Sequence, residues 1–202
     1  MGQVTLAEGA APSTPASGYG TIYVKTDGKF YSKDDAGQEY VISVLGLNLG
    51  TEQASTSGTS IDFTGIPASA RRITINFAGV STNGTSHWLI QLGDSEGIEA
   101  TGYLGSGSVL SASSAATTAY TTGFGIRNDS ASSVAHGTII LTCEDATNFT
   151  WAASGVTSNS GVTYTLTTSG YKSTSLALDR VRITTVNGTD TFDAGAINIT
   201  YE

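Results

Sequence analysis

Apolar and polar positions alternate in short runs from the start of the chain's ordered-looking part. Residues 22–25, 30–33 and 39–42 read as three strands of about four residues each, separated by Asp27-Gly28 and Ala36-Gly37, which supply the positive φ of tight turns. Neighbouring positions that must point to opposite faces (Ile22 and Tyr23, Phe30 and Tyr31, Tyr40 and Val41) are both apolar or aromatic. The pattern therefore predicts a small β-meander with two greasy sides. A sheet of that size is marginal in water by itself, so it is expected to need partners, most simply copies of itself. Ile22, Tyr23, Val24, Phe30, Tyr31, Tyr40 and Val41 are the candidate residues for contact between copies.

From about residue 59 the alternation becomes regular. Strands are expected at 60–63, 72–77, 88–92, 123–126, 138–142, 149–152, 162–166, 180–185 and 196–201, with turn signals between them. The class is all-β, an antiparallel β-sandwich with jelly-roll-like, Greek-key-like order. Two segments echo one another, Arg71-Arg72-Ile73-Thr74-Ile75 before Asn83-Gly84-Thr85 and Arg180-Val181-Arg182-Ile183-Thr184 before Asn187-Gly188-Thr189, each an alternating strand running into an Asn-Gly turn. The low-complexity stretch 105–122 reads as a long surface loop. The domain plan is an extended arm (1–17, with Pro12 and Pro15), the meander (18–43), a connector (44–58) and the sandwich (59–202).

Composition narrows the function classes. Charged residues make up 13% of the 202, and Gly, Ser and Thr crowd the chain, so helix-favouring runs are missing. The net charge of −8 argues against nucleic acid, which demands a basic stripe, and against anionic membranes. About −2 of it falls in residues 1–43, three lysines against five acids, and −6 in the rest. Cys143 is the single cysteine, so no disulfide forms within one chain, and it reads as a small buried hydrophobe. No run approaches a membrane span, and the N-terminus lacks the basic region and apolar core of a signal peptide.

Little in the sequence reads as chemistry. His87 and His136 stand in no metal spacing, no nucleophile-elbow or phosphate-loop pattern occurs, and no cofactor, metal or catalytic residue is expected. The acidic cluster Asp94, Glu96 and Glu99 is the sharpest feature, since paired carboxylates could hold Ca²⁺ or cleave a glycoside, but it matches no calcium loop and reads first as a solvated hairpin tip. Asp190 and Asp193 read the same way. Aromatic rings bordering loops can stack on sugars or anchor interfaces, which makes Tyr103, Tyr120, Trp151 and Tyr171 the candidates for contact with a sugar or protein partner, whereas Trp88, within a strand, reads as core.

Residues 14–42, TPASGYGTIYVKTDGKFYSKDDAGQEYVI, resemble the short Tyr-x-Lys-x-Asp-Gly-Lys-x-Tyr hairpin module of tailed-bacteriophage fibre and virion proteins. Residues 59–202, with TSIDFTGIPASARRITINFAGVSTNGTSHWLIQLGDSEGIEATGY and the closing LDRVRITTVNGTDTFDAGAINITYE, look like a C-terminal β domain common in phage tail fibres and prophage proteins. The resemblance implies a homotrimer on the virion surface, made in the bacterial cytoplasm. In it the arm docks on other virion proteins and the knob meets host surface polysaccharide or protein. It carries over no catalytic residues. The alternatives are a trimeric capsid decoration protein or head fibre, which the short N-terminal arm favours, and a polysaccharide depolymerase using Asp94, Glu96 or Glu99.

Overall fold

The computed structural model describes residues 5–42, 46–113 and 115–202. The first four residues of the expected arm and the boundary between meander and connector lie outside the described residues. The chain is all-β and divides into two compact units, residues 1–46 and 47–202. Among the described residues no helix is long and apolar enough to cross a membrane.

The first unit is a four-stranded sheet of β1 (Glu8–Gly9), β2 (Thr21–Lys25), β3 (Phe30–Lys33) and β4 (Glu39–Val41), in that order. The three expected strands form an antiparallel meander. Gly28 and Gly37 take φ of 75° and 82° at the tips of its hairpins, where a side chain would be strained. The arm adds a short parallel strand, with Glu8 and Gly9 opposite Val24 and Lys25, and the Pro12 carbonyl accepts a hydrogen bond from Lys33 Nζ at 3.0 Å.

The second unit is a sandwich of two antiparallel sheets. Its strands are β5 (Asn48–Leu49), β6 (Gln53–Ala54), β7 (Ser60–Thr64), β8 (Arg72–Thr82), β9 (Trp88–Asp94), β10 (Gly97–Ile98), β11 (Leu104–Leu110), β12 (Ala115–Tyr120), β13 (Phe124–Ile126), β14 (Ala135–Asp145), β15 (Thr150–Asn159), β16 (Tyr164–Ser173), β17 (Arg180–Thr185) and β18 (Phe192–Tyr201). The larger sheet runs β12-β11-β16-β15-β14-β8-β18, with β5 and β6 capping β18. In the smaller sheet β9 pairs with β17, and β17 with β7, while β10 and β13 share the other edge of β9. The chain passes repeatedly between the layers: β7, β9, β13 and β17 belong to the smaller sheet, and β8, β11, β14 and β18 to the larger.

Alternation places the core. Ile73, Ile75 and Phe77 on β8, Ile139 and Leu141 on β14, and Ile197 and Ile199 on β18 face Ile61 and Phe63 on β7, Ile90 and Leu92 on β9, and Val181 and Ile183 on β17. Each such side chain withdrawn from water contributes about 1.5–3 kcal/mol. On β18, Gly195 sits at a bulge with φ of 88°, and a Cβ there would run into the Gly79 carbonyl, so only glycine lets β18 stay on the ladder with β8.

The stretch expected as a loop, 105–122, is instead the β11–β12 hairpin, and β11 is locked in register to β16 over seven residues. Its small residues answer to packing rather than to looseness. A Cβ on Gly107 would strike the Gly125 carbonyl, and Gly125 itself lies under the Tyr120 ring, so glycine lets β13 pass close beneath the hairpin. The expected connector also takes part in the sandwich, through β5 and β6.

Candidate interaction surface

In the first unit the cross-strand register settles which side chains share a face. Tyr23 lies opposite Tyr31 and Tyr31 opposite Val41. Ile22 lies opposite Ser32 and Ser32 opposite Tyr40, while Val24 lies opposite Phe30. The two faces differ, and the expectation of two greasy sides is corrected. One face carries a polar web: the Tyr23 and Tyr31 rings stack at 5.8 Å, Lys25 Nζ sits 4.3 Å from the Tyr31 ring centre and pairs with Glu39, and the Tyr23 hydroxyl donates to Glu39 Oε1 at 2.6 Å. These bonds, that from Lys25 first, hold the Glu39 carboxyl below its usual range. The Tyr31 hydroxyl donates to Asp27 Oδ2 at 2.8 Å.

The other face is apolar and open. Ile22 is 61% exposed, Tyr40 56% and Phe30 49%, and only Val24 is buried. Of the seven candidate trimerisation residues, Ile22, Val24, Phe30 and Tyr40 come together here, while Tyr23, Tyr31 and Val41 occupy the polar face. Ile42 was missing from that set. Its backbone N–H donates to the Phe30 carbonyl at 2.8 Å and its side chain adds to the apolar strip, a position readable from parity with Tyr40.

Three of the four candidate receptor contacts belong to the interior of the sandwich, which withdraws them from any receptor. Tyr103 is fully buried, edge-on to Phe124 at 5.1 Å, and its hydroxyl accepts from the Leu92 N–H at 2.7 Å and donates to the Glu99 carbonyl at 2.8 Å. Trp151 packs in the same core. Tyr120 is buried with its hydroxyl 2.7 Å from His87 Nδ1, burial pushes its pKa to about 12, and His87 Nε2 is 3.0 Å from Asp129 Oδ1. Tyr171 alone faces out, 41% exposed and directly opposite Leu104 on the neighbouring strand. Bordering a loop in sequence did not separate these residues; what separates them is which side distant strands cover, Trp151 and Tyr171 standing on opposite faces of the β15–β16 ladder.

The acidic cluster is committed to structure. Asp94 is buried, accepting from the Glu96 N–H and the Leu176 N–H at 2.9 Å each, so its two oxygens fasten the turn after β9 to the segment after β16. Glu99 pairs with the buried Lys172 and accepts from the Ser175 N–H at 2.5 Å. Burial pushes the Glu99 carboxyl up, but these two partners outweigh it and hold it below the usual range. Glu96 stays exposed. Asp190 ties the two Asn-Gly turns together, accepting from the Ser86 N–H at 3.0 Å and from Asn187 Nδ2 at 2.6 Å. Among the described residues no three His, Cys, Asp or Glu side chains are arranged to hold a metal ion. Cys143 is half-buried, and burial pushes its thiol up. No family model, no curated protein and no solved structure matches the chain.

Proposed function

We propose that the chain is a structural, non-enzymatic protein of a phage virion. It works as a homotrimer made in the bacterial cytoplasm and carried on the particle surface. Its N-terminal sheet joins the copies, its arm docks on tail or capsid proteins, and its sandwich adheres to host surface polysaccharide or protein. The observation that carries this reading is the open apolar strip of Ile22, Phe30, Tyr40 and Ile42, on a sheet with a single buried hydrophobic side chain among its described residues. Three copies arranged about an axis bury such a strip at once. Weak adhesion per sandwich gains strength from many copies on one particle.

The test is a sedimentation mass on the full chain. The expected mass is three times the 20.6 kDa subunit, falling to one subunit when Phe30 and Tyr40 are both changed to Asp. A monomeric wild-type chain overturns the oligomer. Imaging particles that carry a tagged copy separates a tail fibre from a head fibre or decoration protein. Pre-incubating host cells with the purified chain is expected to slow particle adsorption. Fresh reducing ends from host capsule, lost in Glu96→Gln, would replace this reading with a depolymerase.

A further inference from the structure

The outward faces of the two sheets of the sandwich are unlike. On the smaller sheet, Arg182 makes a two-pronged ion pair with Asp62, both bonds 2.7 Å, and Arg180 pairs with Asp179. That is the usual dress of a sheet face turned to water. On the larger sheet, the outward positions of β12, β11, β16, β15 and β14 carry no Lys, Arg, Asp or Glu between Ala115 on β12 and Thr142 on β14. Serine and threonine fill most of them, with Ser108 and Thr167 hydrogen-bonded across the ladder at 2.5 Å. Leu104, Leu110, Val156 and Tyr171 stand exposed among them. The edge strand β12 is equally bare of charge, where free edges ordinarily carry lysine or proline against unwanted pairing.

We infer that this uncharged face of the larger sheet is the surface on which the sandwiches of neighbouring copies pack against one another; the inference rests on the oligomeric reading above and names its second contact. Three arguments select a copy of this chain as the occupant. With a net charge of −8, two copies repel wherever their acids meet, and this face removes that repulsion. Short Ser, Thr and Ala side chains lose little rotamer freedom on docking, whereas Lys or Glu lose far more. The area is also right. Five strands about 4.8 Å apart, with uncharged lengths of six to ten residues at about 3.3 Å each, give a patch of roughly 24 by 27 Å, or about 650 Å². That is about what each partner gives to a stable interface. Copies already joined through the N-terminal sheet meet at high effective concentration, so even a polar, flat contact forms.

The experiment places single cysteines on the full chain in a Cys143→Ser background, at Val156→Cys on the uncharged face and at Thr64→Cys on the exposed edge of the smaller sheet, and follows maleimide labelling beside the sedimentation mass. The expected result is a trimer in which position 156 labels at least about tenfold more slowly than position 64, as befits a buried interface. Changing Val156 and Thr167 together to Glu, with folding checked by near-UV circular dichroism, is expected to make the trimer dissociate at higher concentration. A trimer in which both cysteines label equally fast overturns this inference and leaves the oligomer standing. A wild-type monomer overturns both. A glutamate pair that leaves mass unchanged but stops adsorption to host cells gives the face to a receptor and likewise overturns it.

Discussion

The N-terminal sheet and the sandwich are written in the same alternating pattern, yet they dispose of their apolar side chains in opposite ways. In the sandwich, Ile75, Ile139, Ile183 and Leu92 meet across two layers and vanish from solvent. In the small sheet, equally apolar Ile22, Phe30 and Tyr40 lie on the surface, and cohesion comes from backbone pairing and from the Tyr23-Glu39-Lys25-Tyr31 web, which water still reaches in part. Exposed ion pairs add little to stability, typically up to about 1 kcal/mol before screening. The difference teaches that alternation specifies a strand and its faces, while a second layer decides whether the strand stabilises the monomer or serves an interface.

Substitutions sharpen this contrast. The largest effect is expected from Leu141→Ala in the sandwich core, which removes a fully buried side chain and costs about 2–5 kcal/mol, read as a fall in the denaturant midpoint at unchanged slope. The matching change in the small sheet, Phe30→Ala, is expected to leave that midpoint in place and weaken only the association of copies. Equal losses at the two sites would erase the distinction. Next comes Lys172→Met, which strands the Glu99 carboxylate beside a buried apolar side chain and costs about 3 kcal/mol, the low end for a broken buried pair because Glu99 keeps some solvent contact. Restoring neutrality with Glu99→Gln in the same chain is expected to recover part of it.

Tyr103→Phe keeps the ring against Phe124 but leaves the buried Leu92 N–H without its acceptor, for a loss of about 1–3 kcal/mol, a melting temperature lower by roughly 2–4 °C per kcal/mol. The smallest effect is that of acid. The folded Glu99 carboxyl sits below its usual range, so its contribution is complete above the unfolded value near ~4.3 and disappears as pH falls through the folded value. Melting temperature is expected to hold from neutral pH to about 4.3 and decline below it, with Glu99→Gln showing a shallower decline. An unchanged acid slope in that variant would remove Glu99 from the account.

Much of the fold was legible where β-branched residues alternate. β17 was expected at 180–185 and is found there, and β7, β8 and β9 begin at their expected residues. Length was harder: β15 runs on to Asn159 and β16 to Ser173 because small hydroxyl residues continue a ladder whose partners are already in place. The β11–β12 hairpin stayed hidden for the same reason, since its pairing comes from β16, some sixty residues away, and its glycines answer to Tyr120 and Gly125. Of the candidate contacts, Ile22, Phe30 and Tyr40 could be read from two-residue parity within a local meander. Tyr103, Tyr120 and Trp151 could not, because what buries them arrives from distant strands.

The position of β17 and β18 sets a clock for assembly. β17 fills the space between β9 and β7, and β18 lies beside β8, so neither layer of the sandwich closes until both have left the ribosome. Residues 21–41 need none of that later chain for their own pairing. At ~5–20 residues per second, synthesis of the 160 residues from 42 to 201, the end of β18, takes roughly 8–32 s. Through that interval the sheet that presents Ile22, Phe30 and Tyr40 is already able to form, while the sandwich behind it is still without its closing strands.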